Sequence, residues 1–273
     1  MIGFYLQHSK LIDQIGINAL LALSLVVSLQ AGQLALAQAA FMAVGAYASA
    51  FLGAKAGWPL VGCAAVGSAL GALVAGLLSY PIGRLRGVFL AIATIGFGEI
   101  IRIIVNNLPI TGGAEGFSGI PNDADTRWIY GALALVGLIF FSLRNSRFAL
   151  AMTLTREDEQ AARGVGVDTA AIRLWTLSAG GAIAGLAGAL YAHNNFFIQP
   201  DDFAFGRAEQ ILVYCVIGGT TSPIGAMLGA ALLSILPEVL RFLQDYRDIV
   251  NGGILLLVVL FAPRGISALW KRA

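Results

Sequence analysis

The ionisable side chains of this chain are few, and their placement limits the chemistry open to it. Two acid–arginine pairs fall inside apolar runs: Glu99 with Arg102, and Glu238 with Arg241. Each Arg follows its acid by three residues, so on a helix both share one face and neutralise each other. An ionisable group in hydrocarbon costs roughly 2.5 to 3.5 kcal/mol on insertion scales, so pairing of this kind is expected there. Structurally, each pair is an internal or subunit-interface salt bridge. Functionally, Glu99 and Arg102, with Thr94, Gly96 and Gly98 nearby, form a polar lining in the external half of a membrane pathway. One self-neutralised pair suits brief contact with a passing zwitterion. Gln33 and Gln38 are the neutral candidates for the same lining, or else hydrogen-bonding glue between helices.

Catalysis finds no comparable support. His8 and His193 are far apart and have no acidic company. Cys63 and Cys215 sit in apolar runs, without the spacing of a disulfide framework or a metal site. No G-x-x-x-x-G-K-[ST] phosphate loop occurs, and "GGTTSPIG" has glycines but no Lys to reach a phosphate. The expectation is no catalytic residue, no metal and no cofactor bound by this chain. A net charge of +2, without a basic stripe interleaved with aromatics, argues against nucleic acid.

The longest polar stretch is residues 144–173. Its centre reads "TREDEQAARGVGVD" (155–168). Thr155 is expected to cap a helix, with Asp158 three residues on as its capping-box partner. Arg156 precedes an acidic first turn of Glu157, Asp158 and Glu159, where the helix dipole favours negative charge. Ala161 and Ala162 sustain the helix. Gly164 and Gly166 end it, and Asp168 caps the next. Two readings stand side by side: an amphipathic connector lying in the headgroups, or a knob on which a cytoplasmic partner docks.

These residues must be held by membrane helices. Hydrophobic residues make up 58% of the 273 and charged residues 12%, half the charge of a soluble domain. About 20 apolar residues span a bilayer. On that scale, helices are expected near 11–30, 33–53, 58–80, 87–106, 128–143, 174–196, 207–219, 224–243 and 248–263. The predicted fold is an all-α polytopic bundle of eight or nine transmembrane helices, residues 1–273 forming one domain. Breaks at Gly218-Gly219 and Pro223 suggest half-spanning or re-entrant pieces. Gly67/Gly71, Gly181/Gly185 and Gly225/Gly229 each put two small residues on one face for close packing. The N-terminus lacks a clear signal peptide, and Ile15–Leu29 reads as a retained helix.

Charge orients the string. Arg84 and Arg86, five Arg between 144 and 173, and Arg264, Lys271 and Arg272 account for ten of the 17 basic residues, and alternating helices place all three regions on one side. Positive loops are cytoplasmic, so the N-terminus is expected outside and the C-terminus inside. The outer side holds Lys10, Lys55, Arg127, Arg207, Arg241 and Arg247, diluted by Asp123, Asp125, Asp201 and Asp202.

The segment "EQAARGVG" (159–166) resembles the EAA-type loop of ABC importer permeases, with Glu159, Ala161, Ala162 and Gly166 in matching roles. Here Gln160 splits Glu from the Ala pair, and Gly166 stands closer than usual to Ile172 and Leu174. Further matches are "GQLALAQAAFMAVGAYASAFL" (32–52), "RGVFLAIATIGFGEIIRII" (86–104), "TGGAEGFSGIP" (111–121), "GLAGALYA" (185–192), "VIGGTTSPIGAMLGA" (216–230) and "LFAPRGI" (260–266). Over nearly its whole length and in the expected order, the chain resembles the LivM type of the LivH/LivM branched-chain amino acid permease family. That resemblance implies a bacterial inner-membrane subunit that imports Leu, Ile and Val. It implies two ATP-binding cassette ATPase subunits that bind ATP and Mg and seat the loop, with Arg156, Glu157, Asp158, Glu159, Ala161, Ala162 and Gly166 in ATPase coupling. A second, LivH-type permease and an extracytoplasmic solute-binding protein complete the assembly. Relatives importing other amino acids, urea or short amides keep cargo open. An ATP-independent secondary transporter or channel is the remaining alternative, weakened because the membrane acids come paired with Arg.

Overall fold

A computed structural model describes residues 2–239 in backbone and 10–236 in side chains. Its helices are α1 (Ile2–Gln30), α2 (Gln38–Ala56), α3 (Leu60–Ile82), α4 (Gly87–Asn107), α5 (Thr126–Leu143), α6 (Arg147–Glu157), α7 (Glu159–Gly164), α8 (Thr169–Asn195), α9 (Phe205–Gly218) and α10 (Pro223–Val239). Six of them (α1 to α5 and α8) are long and apolar enough to cross a membrane, and α9 with α10 forms a bent pair that passes the same test together. The expected run at 248–263, the side chains of the Glu238/Arg241 pair and the basic tail lie outside the described residues.

One expected helix starts late. Hydropathy places a span over 33–53, but residues 31–37 are not helical and α2 begins at Gln38. Gly32, at φ +74°, turns the chain out of α1. Two polar contacts then hold the extended segment: Leu36 N–H donates to the Thr94 hydroxyl (2.9 Å), and Gln33 Nε2 donates to the Thr176 hydroxyl (3.4 Å). These tie the break to α4 and α8.

α1, α2 and α8 form the buried centre, with Leu20, Leu21, Leu23, Phe41, Met42 and Leu177 fully enclosed. α3 packs on α8 backbone to backbone. A Cβ added at Gly71 would strike the Gly181 carbonyl, and one added at Gly45 of α2 would strike Gly185. The glycine pairs read from the sequence therefore serve packing, where a missing side chain lets two helices touch. By contrast, α4 and α5 turn Phe89, Ile92, Ile100, Leu135, Leu138 and Phe141 outward, as helices bordering lipid do.

The connections at the end of the bundle opposite residues 144–173 are stitched by a two-residue antiparallel ladder, the one strand pairing among the described residues. Phe117 pairs with Ile198 and Ser118 with Phe197, joining the α4–α5 loop to the end of α8. The chain then turns through 119° between α9 and α10. Arg207 at the start of α9 donates to Asn18 Oδ1 (3.1 Å). At the turn, the Thr221 carbonyl accepts from Gln30 Nε2 (3.4 Å). α10 climbs back until the Ser234 hydroxyl accepts from Asn18 Nδ2 (2.8 Å). The hairpin thus leaves and regains the same level of α1. Gly218 against Gly225, and Gly229 against Tyr214, let its arms touch.

Candidate functional site

The 144–173 stretch folds as two short helices rather than one. Ser146 caps α6 by accepting from Ala149 N–H (3.2 Å). Thr155, expected as a cap, lies inside α6, where its hydroxyl donates to the Ala151 carbonyl (2.8 Å). The cap of α7 is Asp158, whose Oδ1 accepts from the N–H groups of Gln160 (2.8 Å) and Ala161 (3.0 Å). A carboxylate bonds a helix start more strongly than a hydroxyl, which accounts for the three-residue shift. α7 ends with Gly166 in the left-handed region at φ +84°. Gly166 N–H donates to the Arg163 carbonyl, and Val167 N–H to that of Ala162 (both 3.0 Å). These are the two bonds of a Schellman cap. Asp168 caps α8 through Ala170 and Ala171 (both 3.1 Å), as the sequence suggested.

This folding splits the signature residues between two faces. Arg156 pairs with Glu157 on the exposed side (2.6 Å). Gln160, Ala161, Gly164 and Gly166 face outward, and Val165 is 72% exposed at the tip. Ala162 is fully buried. Glu159 also turns inward, with 7% of its side chain exposed. Its Oε1 meets Arg163 (2.6 Å) and the Thr169 hydroxyl (3.3 Å). Its Oε2 meets Arg86 (2.9 Å) and Arg173 (2.7 Å). Arg173 also donates to the Gly83 carbonyl (3.3 Å). One carboxylate thereby joins the end of α3, the start of α4, α7 and the start of α8. Beside it opens a cleft of about 400 Å³, lined by Gly32, Arg86, Arg156, Asp158, Glu159 and Arg173 among others.

At the opposite face, Glu99 accepts from Arg102, and Arg102 also meets Asp201 (2.8 Å) in the turn Pro200–Phe203. The pair predicted within α4 exists, and it is shared with the α8–α9 connection. Thr94, Gln33 and Gln38 are not beside it. Thr94 is fully buried, donating to the carbonyls of Leu90 and Ala91 (both 2.9 Å) while it accepts from Leu36. Gln33 and Gln38 are buried where α1 passes into α2. The five pathway candidates therefore form two separate groups.

Residues 9–259 match the family described as "Branched-chain amino acid transport system / permease component". The chain belongs to this permease family. Among its relatives, the branched-chain amino acid permease protein LivM of Escherichia coli K12 is 33% identical over 281 residues, covering 90% of this chain and 66% of the relative. LivH of the same organism is 28% identical, covering 79% and 77%. The autoinducer 2 import permease LsrC of Yersinia pseudotuberculosis is 30% identical, covering 74% and 64%. The chain spans just under two thirds of the length of LivM. No solved structure matches it. A permease of this family with six apolar spans among its described residues is a multi-pass protein of the inner membrane.

Sequence reasoning missed the partners that anchor the permease's polar groups. Arg86 and Arg173 counted as topology markers, not as ligands of Glu159. Asp13 in α1, buried, accepts from the Thr126 hydroxyl of α5 and from Asn194 of α8 (3.0 Å). The readable signal was a lone acid within an apolar helix, which requires a donor nearby.

Proposed function

We propose that this chain is the membrane-spanning subunit of an ABC importer for Leu, Ile and Val. The observation that carries this reading is the α6–α7 unit, a rigidly capped turn that exposes Ala161 and Val165 while Glu159 binds it to three membrane helices. A partner that grips the exposed side moves the helices through the buried side. Two ATPase subunits are the partners in this reading, carrying ATP and Mg, and Arg156, Glu157, Asp158 and Gly166 shape the surface they meet. A second permease subunit completes the pathway, and a solute-binding protein delivers cargo from outside. Glu99 and Arg102 line the outer mouth. The LivM and LivH relatives support the cargo assignment, and the LsrC relative shows that cargo varies among related permeases.

The test is reconstitution of the assembled transporter in proteoliposomes with its binding protein outside and ATP inside. Labelled Leu, Ile and Val should accumulate only with hydrolysable ATP. Uptake confined to another amino acid, urea or a short amide would reassign the cargo and keep the mechanism. Uptake that persists without the ATPase subunits would replace the mechanism with a channel or secondary transporter.

A further inference from the structure

Charged and amide side chains lie on an open face at membrane depth, and they gather where α4 meets the start of α9. Glu99 is 41% exposed and stands eight residues short of the end of α4 at Asn107, about 12 Å along the axis at 1.5 Å per residue. Its partner Arg102 reaches Asp201, in the turn Pro200–Phe203 that leads into α9. In the first two turns of α9, Glu209 and Gln210 are exposed as well. Beside them, Arg207 donates to Gln210 (3.4 Å) and Asn18 (3.1 Å), and its guanidinium lies over the ring of Tyr191 (5.7 Å).

α1 gives the depth of α9. Arg207 bonds Asn18, and Cys215 Sγ donates to the Ala22 carbonyl (3.3 Å), so the two helices run the same way side by side. Gln210 precedes Cys215 by five residues, which sets it near the level of Ile17. Asp13 bonds Thr126 at the start of α5 and Asn194 at the end of α8, and so marks the end of the bundle opposite residues 144–173. Four residues of helix separate that level from Ile17, placing Gln210 about 6 Å below the end. The other open faces differ. α3 from Val61 to Leu77 and α5 from Gly131 to Phe141 contain no charged residue, and they expose Leu73, Leu77, Leu135, Leu138 and Phe141.

Apolar faces of that kind suit lipid, and the α4–α9 face does not. A carboxylate turned into hydrocarbon is costly, so acids at membrane depth face the bundle interior or a water-filled cavity. Glu99, Asp201 and Glu209 are exposed, not interior. Closing another protein over them would strip their water as well. Both signs of charge occur along the face, in Glu99, Asp201 and Glu209 and in Arg102 and Arg207. Exposed groups of both signs meet either pole of a zwitterion and let it go again, as passage requires. We propose that the start of α9, with the turn before it and the adjoining edge of α4, is the water-filled wall along which the amino acid enters the membrane. That assignment rests on the transport reading above and extends the path from α4 to α9.

The test is thiol accessibility in the complete transporter, reconstituted in vesicles with its binding protein outside. Both native cysteines are fully buried, so the wild-type chain is the blank. Glu209→Cys and Gln210→Cys are compared with Ala65→Cys, an exposed position five residues into the apolar face of α3 and at similar depth. Sulfonatoethyl methanethiosulfonate, which is charged and does not cross membranes, is added outside, and the adduct on this chain is read by mass spectrometry. Both α9 cysteines should react, and Ala65→Cys should not. Their reaction should abolish ATP-driven leucine uptake while the binding protein still stimulates the ATPase. Unlabelled α9 cysteines overturn the assignment, because they then lie against lipid or the second permease. Equal labelling of Ala65→Cys overturns it too, since depth alone then explains the reaction. So does uptake that survives full labelling. Loss of ATPase stimulation gives the face to binding-protein docking instead. In each of these cases, ATP-driven uptake by the wild type leaves the transport reading intact. Wild-type vesicles without such uptake defeat that reading, and the cargo path with it.

Discussion

The two membrane faces of this permease carry the same kind of ion pair in opposite settings. At the end that carries α6 and α7, Glu159 is sheltered and binds arginines from α7, α8 and the α3–α4 link. At the opposite end, Glu99 is 41% exposed and binds Arg102 of its own helix, and Asp201, the second partner of Arg102, is 75% exposed. Charge attraction weakens as water surrounds the pair, so Glu159 is held more firmly than Glu99. What the contrast teaches is where force is able to travel. A sheltered carboxylate that fixes several elements moves them together, whereas the link from Arg102 to the α8–α9 connection runs through an exposed pair that water weakens.

The largest effect is expected from Glu159→Gln. Three guanidinium groups would then share a neutral amide, at a cost of roughly 3 kcal/mol in stability. Melting of the purified protein should fall, and proteoliposome uptake should drop about tenfold or more while ATPase continues. Uptake and melting at the wild-type level would erase the contrast. Arg173→Met comes next, at about 2 kcal/mol, because Arg173 is the least exposed of the three arginines. In a double-mutant cycle with Glu159→Gln the two losses should fall short of additivity by about 1 kcal/mol or more. Full additivity would mean that the two groups act separately.

Gly166→Val should cost roughly 1 to 2 kcal/mol, because a β-branched residue resists a φ of +84°. The strain stays in the turn, so proteolysis within 155–168 should quicken while global melting moves little. Unchanged proteolysis would show that the turn absorbs the side chain. The smallest change is expected from Glu99→Gln, under about 1 kcal/mol and shrinking further in high salt. A melting shift as large as that of Glu159→Gln would invert the comparison.

Much of the fold was legible because membrane helices write themselves in hydropathy. The six long spans stand within a few residues of their expected places, apart from the late start of α2 and the early start of α8 at Thr169, five residues ahead of the expected 174. The α2 start was hidden because "AGQLALA" is as apolar as a helix and its one breaker, Gly32, is common in such sequence. The cap shifted from Thr155 to Asp158 because both types cap helices, and the sequence did not show that α6 runs on through Thr155 and leaves the stronger carboxylate acceptor to start α7. The inward turn of Glu159 was not legible at all. Arg163 is a helical neighbour at i+4, but Arg86 and Arg173 come from other elements, and composition shows how many charges exist but not which of them meet.

The bond between Asn18 and Ser234 spans 216 residues, and that distance bears on how the protein is made. A ribosome adding about 5 to 20 residues per second would need on the order of 10 to 40 s to supply the second partner after the first. Throughout that interval the Asn18 amide nitrogen lacks its Ser234 partner, while its oxygen accepts from Gln14 of the same helix and, later, from Arg207. The late hairpin thus closes on a helix made long before it.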